Sequence, residues 1–354
     1  PVAAVARAAP ESFADLSDRL SPAVVNLATT QTMPAQNNNM GEMPQFPPGS
    51  PFEELFRDFF EQQGEGGAPR KVTSLGSGFV IDASGIVVTN NHVIAKADEI
   101  TVNLSDGTSL PAKVIGRDQK TDIAVLKVET KSPLPSVRFG DSAKLRVGDW
   151  VLAIGNPFGL GGSVSAGIIS AQNRNINSGP YDAFLQTDAA INRGNSGGPL
   201  FNMDGEVIGV NTAIISPSGG SIGIGFAVPA GIVAGVVEQL KQFGETRRGW
   251  LGVRIQSVTD ELAESFALDK ARGALIAEVT PDGPAQKAGI KAGDVVIRFN
   301  GQEVPEMRDL PRIVAETAVG REVEVTVWRA GKEKRFRVML GRLEEFEKTA
   351  GLDE

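Results

Sequence analysis

The chain contains a single histidine, His92, and no cysteine among its 354 residues. A serine hydroxyl needs a neighbouring base to act as a nucleophile at neutral pH, and imidazole is the side chain best suited to take its proton. A zinc site built on cysteine and histidine is excluded in practice by this composition. Any Ser-His-Asp triad in the chain must therefore use His92 as its base.

The candidate nucleophile is Ser196, in the segment Gly194-Asn195-Ser196-Gly197-Gly198. The flanking glycines allow a tight turn whose N–H groups converge on one point, as an oxyanion hole requires. We expect Gly194, Asn195 and Ser196 to form that hole. The pattern Gly-x-Ser-x-Gly also fits the nucleophile elbow of α/β-hydrolases, but there the histidine follows the serine, whereas His92 precedes it.

Two aspartates compete for the third position of the triad. Asp122 begins an apolar strand, where its carboxylate is withdrawn from water, and Asp188 lies shortly before Ser196. This placement favours Asp122, with Asp188 as the alternative. The chain order His, Asp, Ser matches the chymotrypsin-like double β-barrel.

Short β-strands are the elements that would position these residues. From residue 73 to residue 228, apolar runs alternate with Gly, Asn and Asp turns, which is typical of all-β barrels and sandwiches. A helix is predicted over 229–243. We expect one domain at 1–246, a small α+β domain at 247–343, and an acidic tail at 344–354 that is mobile or truncated.

Residues 31–72 interrupt this pattern with a segment rich in Asn, Pro and Gly. Aromatic side chains recur inside it at helical spacing. They are either a local hydrophobic staple or a helix that docks on another subunit or acts as a lid. The aromatic residues concerned are Phe52, Phe56, Phe59 and Phe60.

Composition excludes several classes of protein. The net charge of −8 and the pI near 5.0 argue against a nucleic-acid partner. No apolar run approaches the roughly 20 residues that span a bilayer. The absence of cysteine fits an oxidising compartment, and the Ala-rich start at 1–10 fits a mature N-terminus left after removal of a signal peptide.

The run from Gln186 to Leu200, taken with 89–93 and 121–126, resembles the HtrA (Deg) family of periplasmic serine proteases, in particular its DegP and DegQ types. The resemblance extends over nearly the whole chain. It implies a chymotrypsin-like double six-stranded β-barrel followed by a small α+β PDZ domain, with Asp122 as the triad acid. It also implies trimers formed by the protease domains and a regulatory loop at 31–72. Members of these types normally carry two PDZ domains, and this chain has the length for one.

The same resemblance implies further site residues. Those of the S1 substrate pocket, which would favour small aliphatic side chains, are Ile191, Thr212, Ala213 and Ile214. Packing of Ile191 in the core is the alternative. Those of the PDZ peptide-binding site are Arg248, Leu251, Gly252, Val253, Leu310 and Ile313. Arg174 would relay peptide binding to the active site, unless it is an ordinary surface arginine.

We therefore expect an ATP-independent serine endopeptidase that degrades unfolded or damaged proteins in the periplasm and needs no metal or organic cofactor. Its partners would be unfolded polypeptides, including membrane-associated ones, peptide C-termini and further copies of the chain. A chaperone that holds its clients is a second hypothesis, compatible with the first. An esterase acting on small acyl substrates is a third.

Overall fold

The computed structural model describes residues 10–33, 70–157, 162–192, 194–215 and 220–351. The chain divides into two compact units, Pro1–Glu245 and Thr246–Glu354. Within the described ranges, no helix is long and apolar enough to cross a membrane.

The first unit begins with a closed antiparallel barrel whose strands follow the order β1-β2-β3-β6-β5-β4. Its elements are helix α1 Ala14–Leu20, strands β1 Val24–Met33, β2 Arg70–Asp82 and β3 Ile86–Asn90, helix α2 Asn91–Ile94, and strands β4 Glu99–Asn103, β5 Ser109–Asp118 and β6 Ile123–Val128. Valine and leucine side chains such as Val25, Leu27 and Val87 fill its interior, as expected for β-branched and apolar residues on the inner face of a barrel.

Strands β1 and β2 pair along their length, from Val24 opposite Phe79 to Met33 opposite Arg70. The two ends of the segment 31–72 therefore belong to strands rather than to a loop. The aromatic residues Phe52, Phe56, Phe59 and Phe60 lie outside the described residues.

A second closed barrel follows, with the strand order β10-β11-β12-β9-β8-β7. Its strands are β7 Trp150–Gly155, β8 Ser163–Arg174, β9 Phe184–Thr187, β10 Pro199–Phe201, β11 Val207–Ile214 and β12 Gly225–Pro229, and helix α3 Ala230–Phe243 follows them. Helix α3 ends at Gly244, whose φ of 73° suits glycine. Its buried face joins one apolar cluster with side chains of both barrels, Phe79 and Phe226 among them. The double-barrel prediction is confirmed.

The second unit has a sheet in the order β14-β15-β16-β18-β19, with β17 paired to β16 and a separate pair β13-β20. Its elements are β13 Gly249–Trp250, β14 Val253–Ser257, α4 Asp260–Ser265, β15 Ala274–Val279, α5 Pro284–Lys287, β16 Val295–Phe299, β17 Gln302–Glu303, α6 Asp309–Glu316, β18 Glu322–Arg329, β19 Lys332–Met339, β20 Gly341–Arg342 and α7 Leu343–Ala350. Strand β14 lies at one edge of the sheet.

The expected mobile tail from Glu344 needs correction, because Leu343–Ala350 form helix α7. Phe346 stacks on Trp250 with ring centroids 4.3 Å apart and planes 18° from parallel. The carboxylate of Glu344 accepts a hydrogen bond from the backbone N–H of Arg248 at 3.1 Å. Acidic residues in the first turn also suit the positive end of the helix dipole.

Candidate active site

Antiparallel pairing brings His92 and Asp122 together. His92 lies on α2, directly after β3, and Asp122 lies directly before β6, with Asn90 opposite Ile123 in the register. The ring Nδ1 of His92 lies 2.5 Å from Oδ2 of Asp122. The backbone N–H of His92 donates to the other carboxylate oxygen at 2.8 Å. One carboxylate therefore contacts both the ring and the backbone of His92.

The turn before Asp122 sets the direction of its side chain. Asp122 has a φ of 56°, in the left-handed region that residues other than glycine seldom adopt. Its N–H donates to the carbonyl of Gln119 at 3.2 Å. The buried carboxylate of Asp118 accepts hydrogen bonds from the backbone N–H and the hydroxyl of Thr121. These contacts close the turn and hold Asp122 in a conformation of high energy.

Ser196 lies in the loop that enters β10 of the second barrel, yet this loop is tied to the first barrel. The backbone N–H of Ser77 in β2 donates to the Ser196 carbonyl at 2.9 Å. The Ser77 hydroxyl donates to the Gly194 carbonyl at 2.5 Å. The Ser196 hydroxyl donates to the Thr212 carbonyl at 3.5 Å. The nucleophile segment thus spans the junction between the barrels.

The glycine-rich turn has the expected form. Gly194 and Gly197 have φ values of 95° and 83°. The N–H of Asn195 donates to the Asn192 carbonyl at 3.1 Å, so it is already used. Among the described residues, no acceptor pairs with the N–H groups of Gly194 and Ser196. Of the three residues predicted for the oxyanion hole, these two have amides available.

The predicted S1 residues are all buried, on the loop before Ser196 and on β11. Ile191 and Ile214 belong to one apolar cluster of the second barrel, which agrees with the core-packing alternative for Ile191. A Cβ on Gly225 would lie 2.6 Å from Cγ1 of Ile191, so glycine there makes room for the isoleucine. Thr212 and Ala213 lie between them in sequence. The residues themselves leave both interpretations of Ile191 open.

Two polar residues of the second barrel have partners away from His92. The carboxylate of Asp188, the alternative triad acid, accepts a hydrogen bond from the N–H of Ile168 on β8 at 2.7 Å. Arg174 is exposed and donates through Nε to the Gln186 side chain at 3.0 Å. In the structure it is thus Asp122, not Asp188, that contacts the imidazole.

The loop between β8 and β9 contains a carboxyl with a shifted pKa. Burial raises the pKa of Asp182 above its ordinary value of 3.8, against the opposing effect of N–H groups that bind the carboxylate. Those donors include Ser178 at 2.9 Å and Ile176 at 3.0 Å. Among the described residues, no group of three or more acidic or histidine side chains is placed to hold a metal ion.

In the second unit, the segment predicted to bind a peptide carboxylate forms a turn between β13 and the edge strand β14. Gly252 has a φ of 77°, and its carbonyl accepts from the N–H of Thr280 at 2.9 Å. The Leu251 carbonyl accepts from Ala285 at 2.9 Å, and Val253 begins β14. The turn is therefore held firmly in place beside an edge strand.

The remaining predicted PDZ residues are buried. Leu310 and Ile313 lie on α6 and share a core cluster with Leu251. Arg248 is 5% exposed. Its guanidinium donates to the Thr246 hydroxyl at 2.5 Å and lies 3.6 Å from the carboxylate of Glu344. Arg248 is among the residues predicted to bind the peptide, but its charge is engaged inside the unit.

The buried polar residues around the triad residues of the first unit were not predicted as site residues. Ser77, Thr89 and Asn90 are fully buried in β2 and β3, among apolar neighbours. Their signal in the sequence is a polar side chain within an apolar strand. Buried polar groups carry a free-energy penalty unless they are hydrogen-bonded, so such residues mark positions with a specific partner.

Comparison with known proteins agrees with this architecture. Residues 76–210 match the model of a trypsin-like peptidase domain, and residues 249–340 match that of a PDZ domain. A probable periplasmic serine endoprotease, DegP-like, from Ectopseudomonas mendocina (strain ymp) is 49% identical over 347 residues, covering 96% of this chain and 73% of the relative. A protein of the same description from Brucella suis biovar 1 (strain 1330) is 48% identical, with 94% and 69% covered.

Among solved structures, an HtrA-type protease, AlgW with tripeptide, superposes with a TM-score of 0.75 at 40% identity, covering 94% of this chain and 97% of the other. Relatives that share nearly half of their residues over most of both chains share a family as well as a fold. The two DegP-like relatives are described as probable periplasmic enzymes, and the chain belongs to the HtrA/DegP-type serine endoproteases.

Proposed function

We propose that the chain is an ATP-independent endopeptidase of the periplasm whose triad is His92, Asp122 and Ser196. The observation that carries this proposal is the double contact of the Asp122 carboxylate with His92, at 2.5 Å to the ring and 2.8 Å to the backbone. This contact leaves one ring nitrogen, Nε2, as the proton acceptor.

The mechanism follows from these roles. Ser196 Oγ attacks the peptide carbonyl while His92 Nε2 takes the hydroxyl proton, and Asp122 stabilises the imidazolium that forms. The N–H groups of Gly194 and Ser196 stabilise the negative charge on the carbonyl oxygen. His92 then gives its proton to the departing amine, and an acyl-enzyme remains. Water, deprotonated by His92, hydrolyses that ester and restores the serine.

The substrates we propose are unfolded or damaged polypeptides with small aliphatic residues at the cleavage point. Ile191, Thr212, Ala213 and Ile214 would form the pocket, and an extra methylene on the substrate changes such binding by only about 1–3 kcal/mol. Loose selectivity of this kind suits degradation of many clients.

We further propose that the second unit binds a peptide C-terminus as an added strand beside β14. This edge strand and the left-handed turn at Gly252 support the proposal. The residues assigned to it are Leu251, Gly252, Val253, Leu310 and Ile313. Arg174 would communicate binding to the active site, and the protease domains would assemble as trimers.

Labelling with a fluorophosphonate probe, followed by mass spectrometric mapping, tests the triad. We expect the probe on Ser196, and we expect Ser196→Ala and His92→Ala to abolish labelling and cleavage of unfolded casein. Asp122→Asn should lower kcat by about 10⁴, since the imidazole loses its orienting acceptor. Asp188→Asn is the matched control and should change kcat little. Rapid turnover of small esters without casein cleavage would instead favour the esterase hypothesis.

Chaperone activity needs a separate measurement. The Ser196→Ala protein is mixed with an aggregating client, and light scattering is followed. Suppressed aggregation without cleavage would support an independent holding function, and aggregation at the rate of the client alone would rule it out.

A further inference from the structure

The buried side chain of Asn90 contacts both halves of the site. We propose that Asn90 is a positioning residue, which holds the loop of the catalytic acid and the strand beside the nucleophile in a single arrangement. The inference rests on the proposed function, because it concerns the same triad.

The amide of Asn90 spans the junction between the barrels. Asn90 is the last residue of β3 and has no exposed surface. Its Nδ2 donates to the Asp122 carbonyl at 2.9 Å, within the first barrel, and to the Thr212 hydroxyl at 3.1 Å, in β11 of the second barrel. A side-chain amide has two hydrogens to donate. Both are therefore used, one on each side of the site.

On the first side, Asn90 supports a strained residue. Asp122 has a φ of 56°, and its carbonyl accepts a second hydrogen bond from the N–H of Asn91 at 2.9 Å. Two donors on one carbonyl compensate for a backbone conformation that is otherwise unfavourable. Because this conformation directs the Asp122 carboxylate to His92, a shift of the carbonyl would move the acid away from the imidazole.

On the second side, Asn90 supports the residue that accepts from the nucleophile. The Thr212 hydroxyl donates to the Val210 carbonyl at 2.9 Å, so its proton is committed and the oxygen is the acceptor for Asn90. The backbone carbonyl of the same threonine accepts from Ser196 Oγ at 3.5 Å. A Cβ on Gly197 would lie 3.0 Å from the Asn90 backbone nitrogen. The backbone of the nucleophile loop at Gly197 thus passes close to the backbone of Asn90.

The test compares Asn90→Ala with Asn202→Ala in the full chain. Asn202 orders a turn by accepting from the N–H groups of Asp204 and Glu206, at 3.1 and 2.9 Å, so its loss also affects stability. We expect Asn90→Ala to lower kcat at least about tenfold with little change in KM, since a small misplacement of reacting groups can cost about 100-fold. The ¹H NMR signals of the His92 ring should shift in Asn90→Ala only.

A kcat within twofold of wild type, or an equal loss in Asn202→Ala at a similar Tm, would overturn the inference. Thr212→Val, which keeps the side-chain shape and removes the acceptor, supplies a second route if Asn90→Ala does not fold. The double variant Asn90→Ala/Thr212→Val should lose no more activity than the worse of the two single variants. If the two fold-losses in kcat multiply instead, the residues act independently and do not form a bridge. If Ser196→Ala still cleaves casein, the proposed triad fails. If Ser196→Ala is inactive and Asn90→Ala is fully active, only this inference fails.

Discussion

Gly197 and Ser77 approach so closely that a Cβ on Gly197 would overlap the Ser77 carbonyl oxygen and the Thr89 hydroxyl. Ser77 and Thr89 belong to the first barrel, and Gly197 follows Ser196 in the second. The absence of a side chain at Gly197 therefore sets how near the two barrels come at the site. His92 is attached to one barrel and Ser196 to the other, so this contact lies at the junction across which the proposed proton transfer takes place.

Gly197→Ala should accordingly damage both stability and activity. Gly148→Ala is the control, because Gly148 has a φ of 97° and open space where the Cβ would go. We expect the control to lose about 1–2 kcal/mol of unfolding free energy, the ordinary cost of a left-handed alanine. Gly197→Ala should lose several kcal/mol and nearly all casein cleavage, as measured by urea denaturation and kcat. Equal losses in the two variants would contradict the close approach.

Ser77→Ala should lower kcat without removing any triad residue. The hydroxyl of Ser77 donates to the Gly194 carbonyl at 2.5 Å and accepts from the N–H of Asn156 at 2.8 Å, so its loss leaves two buried groups unpaired. Because Gly194 supplies an N–H to the proposed oxyanion hole, we expect a fall of about 10–100-fold. Ser109→Ala, a change at an exposed residue, should leave kcat unchanged in the same assay.

The parts of the fold that could be predicted were those with strong local patterns. The strand runs from residue 73 onwards and the helix bounded by Pro229 and Gly244 are of this kind. Short strands such as Pro199–Phe201 were not predicted, because three residues are too few to show an alternation of apolar and polar side chains. Helix α7 was not predicted because its acidic residues indicated a tail. In the structure, Phe346 stacks on Trp250 and Glu344 forms an ion pair with Arg248.

The candidate site was predictable as far as residue type and chain order determine it. His92 followed from its being the single histidine, and Ser196 from its glycines. Asp122 was favoured over Asp188 by its place at the start of an apolar strand and by the family resemblance, and the register of β3 against β6 adds the contact of its carboxylate with His92, which no local pattern reports. Asn90 could not be identified, since a buried amide has a role only through partners far away in sequence.

Asp182 should make stability depend on pH. Because burial raises its pKa in the folded protein above the ordinary 3.8, the folded state binds this proton more tightly than the unfolded state. Its stabilising contribution is then complete below pH 3.8 and is lost as pH rises through the folded pKa. Asp182→Asn lacks this dependence, so its Tm relative to wild type should be higher at pH 7 than at pH 4. A constant difference across that range would show that the carboxyl does not titrate as described.

Phe346→Ala should release helix α7 from the second unit. The variant loses the stacked contact with Trp250, and we expect a loss of about 0.5–1.5 kcal/mol in local stability. Hydrogen exchange followed by mass spectrometry would show faster exchange in β13 and β20, the strands beside the stack. Lys348→Ala, an exposed change on the same helix, should leave exchange there as in wild type.

Strands β13 and β20 pair with Gly249 opposite Arg342, so the chain enters and leaves the PDZ domain at adjoining points. The stack of Phe346 on Trp250 lies at the same place. The first and last strands of this domain pair with each other, and helix α7 packs on the first of them. The contacts that close the domain therefore all lie within it. The stretch from Thr246 to Gly351 should consequently fold by itself when it is expressed without the first unit, which thermal unfolding followed by circular dichroism would show.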